Sequence, residues 1–68
     1  MPSVELTARE RSIVELLAEG HTDAFVAERL GISPRTIAYT MRSLMDRLGV
    51  DNRFQLGLIL GATEDTGP

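Results

Sequence analysis

Arg35, Ala38, Tyr39, Arg42 and Asp46 fall at offsets 0, 3, 4, 7 and 11, which puts them along one side of a helix running through this part of the chain. The planar fork of Arg42 matches the paired O6 and N7 acceptors of guanine. Tyr39 offers a ring edge to the C5-methyl group of thymine and a hydroxyl to a phosphate, and Ala38 offers an apolar contact only. Asp46, four residues past Arg42, supplies the competing use of that arginine, an ion pair within the helix. Just upstream, Ser33, Arg35 and Thr36 bring hydroxyls, a cation and unpaired backbone N–H groups to a helix start, a combination suited to an anion such as a phosphate. Ser33 has a second use there as the N-cap, and Thr40 stands beside the same face as a further candidate for a backbone contact.

Those side chains need a support that holds one helix face outward, and the flanking residues encode it. Ala27 is small enough for two helices to cross closely, Gly31 suits a turn with positive φ, Ser33 restarts the chain as a cap, and Pro34 fits the first helical position. This is a helix, a tight turn and a second helix, the arrangement that commonly sets its second helix in the major groove of DNA. Upstream, Thr7 and Glu10 have the spacing of a capping box, and Ile13, Leu16 and Leu17 recur at helical intervals, with Leu6 and Val14 extending the buried edge. Thr22 or Asp23 caps a short second helix with Val26, Ala27 and Leu30 inward. Ile37, Met41, Leu44 and Leu48 form the core stripe of the third, ended by Gly49. Asp51 or Asn52 opens a fourth. The fold class expected is all-α, with helices at about 8–19, 23–30, 34–48 and 52–60, an N-terminal arm over 1–6, one domain over 7–61 and a polar tail over 62–68.

Composition bounds what such a unit can do. A chain of 68 residues forms one small domain, the absence of cysteine excludes disulfides and thiolate metal sites, and the single histidine, His21, is expected exposed in a turn. No nucleophile–base–orienter set and no phosphate-binding glycine loop is present, so no enzyme and no cofactor is expected. No apolar run reaches membrane length and no export signal opens the chain; a cytoplasmic protein without a membrane partner is the simplest expectation. The net charge of −3 runs against a nucleic-acid partner, but its distribution does not. Residues 33–53 hold Arg35, Arg42, Arg47 and Arg53 against Asp46 and Asp51, a local excess of two positive charges. Every basic residue is arginine. That suits bidentate contacts, although the composition bias of a GC-rich genome gives the same pattern.

Taken together, Leu6-Thr-x-Arg-Glu10, Ala18-Glu-Gly20, Val26-Ala27, Leu30-Gly-Ile-Ser33, Arg35-Thr-Ile37 and Leu48-Gly-Val-x-Asn-Arg53 resemble the LuxR-type helix-turn-helix over about residues 5–61. The Leu44-Met-x-Arg-Leu-Gly and Arg53-Phe-Gln segments look most like actinobacterial members. The resemblance implies a four-helix, sequence-specific DNA-binding module of a bacterial transcription regulator, whose third helix reads double-stranded DNA and whose fourth mediates dimerisation. It departs from the family's pattern at Ala38 and Thr40, where lysine and histidine are common, and at Ala24 and Phe25, near a frequent lysine. Fewer phosphate contacts follow. A second reading keeps the fold but makes it mainly a dimerisation or protein-docking domain.

The readings for individual residues are these. Base contacts fall to Ala38, Tyr39 and Arg42, and backbone contacts to Ser33, Arg35, Thr36, Thr40 and Arg53. Glu10 either completes the capping box or pairs with an arginine such as Arg53. Phe25 packs against the first helix or faces a partner. On the fourth helix, Leu56 and Leu60 lie on one i, i+4 line and Phe54 and Leu58 on another, with one line packed inward and the other meeting a second copy; a homodimer on DNA is expected, with no small-molecule ligand in this domain.

Overall fold

A computed structural model of the chain describes residues 5–63, with side chains described through Gly61. Most of the expected arm and tail, residues 1–4 and 64–68, therefore lies outside the described residues. Within them the chain forms four helices and no strand: α1 Ala8–Ala18, α2 Asp23–Leu30, α3 Pro34–Leu48 and α4 Arg53–Thr63.

Each helix begins where a side chain can satisfy the first free N–H groups. Thr7 Oγ1 accepts from the Glu10 N–H at 3.1 Å while Glu10 Oε1 accepts from the Thr7 N–H at 3.0 Å, so the capping box forms as the spacing predicts. Thr22 caps α2, accepting from the Phe25 N–H at 3.1 Å. Asn52 caps α4, its Oδ1 accepting from the Gln55 N–H at 2.8 Å, while Gln55 Oε1 accepts from the Asp51 N–H at 2.8 Å. Three boundaries differ from expectation. α1 stops at Ala18, with Glu19 as its C-cap and Gly20 at φ 99° in the turn, and α4 starts at Arg53 and runs past Leu60 to Thr63. Gly61 does not end α4, because it is not in the left-handed conformation in which a glycine caps a helix.

Ile13 of α1, Val26 and Ala27 of α2, Ile37, Met41 and Leu44 of α3, and Leu56 and Leu60 of α4 make the core, with Leu6, Val14, Leu16, Leu17, Leu30 and Leu48 partly buried around it. Burying each large side chain contributes roughly 1.5–3 kcal/mol before the entropy of ordering the chain is subtracted, so a core this small leaves a narrow surplus. Leu56 and Leu60, read in the sequence as candidates for a dimer surface, belong to this core. Their line on α4 is the one that packs inward. Phe54, at 75% exposure, and Leu58, at 59%, occupy the other line and face solvent.

Two arginines close the helices on one another. Arg47, in the last turn of α3, donates from Nη1 to Glu10 Oε2 and from Nη2 to Glu10 Oε1, each at 3.1 Å, joining α3 to the start of α1. Arg53, the first residue of α4, donates from Nη1 to Asp23 Oδ1 at 2.7 Å and from Nη2 to Asp23 Oδ2 at 2.9 Å, joining α4 to the start of α2. Glu10 therefore makes the capping box and an ion pair at once, and its partner is Arg47, not Arg53. The choice follows from geometry: the end of α3 meets the start of α1, and the first turn of α4 meets the first turn of α2.

Candidate nucleic-acid interface

The turn between α2 and α3 is built from backbone conformation. Gly31 adopts φ 73° and ψ 32°, the left-handed region, and the chain folds back so that the Ile32 N–H donates to the Ala27 carbonyl at 2.9 Å. Ser33 is extended at φ −85° and ψ 155°, and its Oγ accepts from the Thr36 N–H at 3.1 Å. Ser33 Oγ and Thr36 Oγ1 lie 3.0 Å apart. The Ser33 hydroxyl is thus engaged as a cap and shares a hydrogen bond with Thr36, and the two hydroxyls and Arg35 surround the positive end of α3.

Ile37 and Leu44 are fully buried and Met41 nearly so, and this stripe fixes the rotation of α3 about its axis. The opposite face carries Arg35, Ala38, Tyr39, Arg42 and Asp46, all exposed, with Tyr39 at 72%. Thr36 and Thr40 sit half-buried at the margins. Among the described residues Arg42 and Asp46 form no ion pair, so the intrahelical use of that arginine is not taken up.

The local positive charge is redistributed relative to the sequence count. Of the four arginines in residues 33–53, Arg47 is held by Glu10 and Arg53 by Asp23, while Arg35 and Arg42 stand on the outward face without a carboxylate partner among the described residues. Arg53, a candidate for the DNA backbone in the sequence, donates from both terminal nitrogens to Asp23 and so also joins α4 to α2. The same pairs shift the acids. Hydrogen bonding from Arg47 holds the Glu10 carboxyl below its ordinary 4.5, and hydrogen bonding from Arg53 holds Asp23 below its ordinary 3.8, in both cases against partial burial, which acts the other way. Asp23 raises Arg53 in return.

Residue types alone did not reveal these pairs, because their members lie 37 and 30 positions apart. Only Glu10 carried a local signal, its capping-box spacing. Phe25, at 40% exposure, stacks on His21 with ring centroids 4.2 Å apart and planes 24° from parallel. His21 Nε2 lies 3.4 Å from Glu19 Oε1. Phe25 therefore packs on the turn after α1, and His21, expected exposed, is partly covered by it. Among the described residues no cluster of three or more His, Cys, Asp or Glu is arranged to hold a metal, and no helix is long and apolar enough to cross a membrane.

Comparison with known proteins places this arrangement. Residues 4–60 match the family of bacterial regulatory proteins, luxR family. The chain is 48% identical over 52 residues to a probable transcriptional regulatory protein, SgaR, of Hyphomicrobium methylovorum, covering 76% of this chain and 25% of that protein. It is 46% identical over 55 residues to the bialaphos biosynthetic pathway regulatory protein of Streptomyces hygroscopicus, covering 81% and 22%. It is 43% identical over 51 residues to the transcriptional regulatory protein UhpA of Escherichia coli, covering 75% and 26%. The chain spans about a quarter of the length of these relatives. Their spread over Hyphomicrobium, Streptomyces and Escherichia supports the family as a whole and not a narrower actinobacterial group. No solved structure matches the chain significantly.

Proposed function

The chain belongs to the luxR family of bacterial regulatory proteins and is the DNA-binding module of a transcription regulator, and from that premise we propose that α3 enters the major groove with Arg42 on a base edge. The observation that carries this reading is the outward face of α3: among the described residues Arg42 and Arg35 stand exposed without a carboxylate partner, on a helix whose opposite stripe of Ile37, Met41 and Leu44 is buried in the core. A guanidinium so placed has its planar fork available for guanine O6 and N7. The guanidinium and backbone N–H of Arg35 and the hydroxyl of Thr36 hold a phosphate, with Ser33 and Thr40 beside it, and fix the register of the helix on the duplex. Acting on chromosomal DNA puts the protein in the cytoplasm.

α4 supplies the second half of the proposal. Phe54 and Leu58 are large, apolar and exposed on one line, and a matching pair on a second copy would bury them by a two-fold contact. One short helix buries little area, so the pair is weak in free solution and forms when adjacent half-sites about 34–36 Å apart hold two copies. The exposed pair also keeps the docking reading in view. A salt-dependent titration against a duplex selected from a random pool and against its scrambled counterpart separates the two. A DNA-reading module prefers the selected duplex and loses affinity as salt rises, whereas a docking module binds neither.

A further inference from the structure

The outward face of α3 is not uniformly polar, and its apolar part has no use in the fold. Ala38 is exposed and Tyr39 is 72% exposed. Core packing on α3 is supplied by Ile37, Met41 and Leu44. Among the described residues the Tyr39 hydroxyl has no hydrogen-bond partner, and its ring stacks on no other ring. This apolar surface is bracketed: Arg35 lies three and four residues before Ala38 and Tyr39, and Arg42 lies four and three after them, so the cations flank the pair on one stripe. At a rise of about 1.5 Å per residue, Arg35 and Arg42 are separated by about 10 Å along the helix, roughly three base-pair steps of about 3.4 Å.

We propose that Ala38 and Tyr39 form a methyl-reading pair that contacts the C5-methyl group of a pyrimidine, thymine in unmodified DNA, lying between the base pair read by Arg42 and the phosphate held by Arg35. The inference rests on the reading of α3 as the groove helix and adds the base class that its centre selects. The chemistry is one of elimination. Ala38 has no donor or acceptor on its side chain, and Tyr39 has one hydroxyl at the far end of its ring, so neither makes the paired hydrogen bonds that identify guanine or adenine. The major-groove edge of thymine carries a methyl group where cytosine has only a hydrogen, and an apolar surface on the reading helix gains by covering it. A cytosine methylated at C5 presents the same group at the same place, so methylation at that position restores part of the thymine contact.

The test uses the full chain and a duplex selected from a random pool. Each thymine of the half-site is replaced in turn by deoxyuridine, which keeps the hydrogen-bonding edge and removes the methyl group. One replacement per half-site is expected to weaken binding about four-fold, the worth of one methyl group taken out of water. In the Ala38→Ser, Tyr39→Ser double variant that sensitivity disappears, while in Arg42→Ala it persists; both sites are exposed, so the fold tolerates the changes. If no deoxyuridine replacement alters affinity for a duplex the protein still prefers over its scrambled form, the methyl-reading pair is wrong and the reading of α3 stands. If the sensitivity survives in the double variant, the methyl group is read elsewhere and the assignment to Ala38 and Tyr39 is wrong. If no duplex is preferred at all, both fall together.

Discussion

Arg47 and Glu10 face each other fork to fork, two N–H···O bonds of 3.1 Å each, at the point where the last turn of α3 crosses the first turn of α1. The same Glu10 oxygen that accepts from Arg47 Nη2 accepts from the Thr7 N–H at 3.0 Å, so one carboxylate both starts α1 and anchors the far end of α3. Arg47→Ala is expected to lower stability by about 1 kcal/mol, the upper end for a partly exposed bidentate pair, and Glu10→Ala by more, because the capping box is lost with it. Thermal denaturation of both variants checks the order; equal losses would mean that the capping contact of Glu10 contributes nothing beyond the ion pair.

Acid should loosen these joints. Glu10 and Asp23 are held below their ordinary values of 4.5 and 3.8, so the folded state binds their protons less readily than the unfolded chain does. Their contribution is complete above pH 4.5 and is lost progressively as pH falls through the lowered folded-state values. Denaturation midpoints between pH 7 and pH 3 should drop in that lower range for the wild type, and drop less for a double variant carrying Glu10→Gln and Asp23→Asn. A decline of the same size in the double variant would place the acid sensitivity elsewhere.

The turn tests backbone conformation in isolation. A Cβ at Gly31 would meet nothing within 4 Å, yet φ is 73°, so Gly31→Ala is penalised by conformation and not by collision. Its cost is expected near 1–2 kcal/mol, with Gly31→Asn cheaper because asparagine enters the left-handed region more readily. Equal stability of the alanine variant and the wild type would show that the turn tolerates a different path.

The local grammar of this chain was legible in its residues. Thr7, Thr22 and Ser33 cap the helices that their spacing announced, and Gly31 and Gly49 close α2 and α3 with φ of 73° and 71°. The helical spacing of Ile37, Met41 and Leu44 is enough to define the outward face of α3. What was not legible depends on contacts between distant positions. Arg53 and Asp23 carry no local pattern that pairs them, and so Arg53 read as a partner for Glu10 or a contact to the DNA backbone. On α4 apolar residues occupy too much of the circumference for spacing to choose a face, and packing against the other helices decided that Leu56 and Leu60 turn inward.

That assignment divides α4 into two experiments. Leu56, at 1% exposure, fills the core, and Leu56→Ala should cost about 2–5 kcal/mol through the lost burial and the cavity left behind. Leu58, at 59% exposure, should tolerate Leu58→Glu with little change in melting temperature, while sedimentation on a duplex with two half-sites loses cooperative occupancy. Undiminished cooperativity in Leu58→Glu would remove α4 from the proposed contact between copies.

On the outward face of α3, Arg42→Ala should weaken binding to the selected duplex by about 1–3 kcal/mol and leave random DNA nearly unaffected, as the proposed base-edge contact requires. Ala38→Lys should steepen the salt dependence by about one unit, since it adds one phosphate-range cation to the exposed face. Equal losses on both duplexes for Arg42→Ala would move that residue to the phosphate backbone.

The central claim is that the outward face of α3 meets DNA, and amide chemical shifts of the ¹⁵N-labelled chain, followed as the selected duplex is added, test it most directly. The account predicts that the largest changes fall on Arg35, Thr36, Ala38, Tyr39 and Arg42, with α1 little affected. Changes concentrated on α1 or on the α4 face of Phe54 and Leu58, with α3 silent, would contradict it.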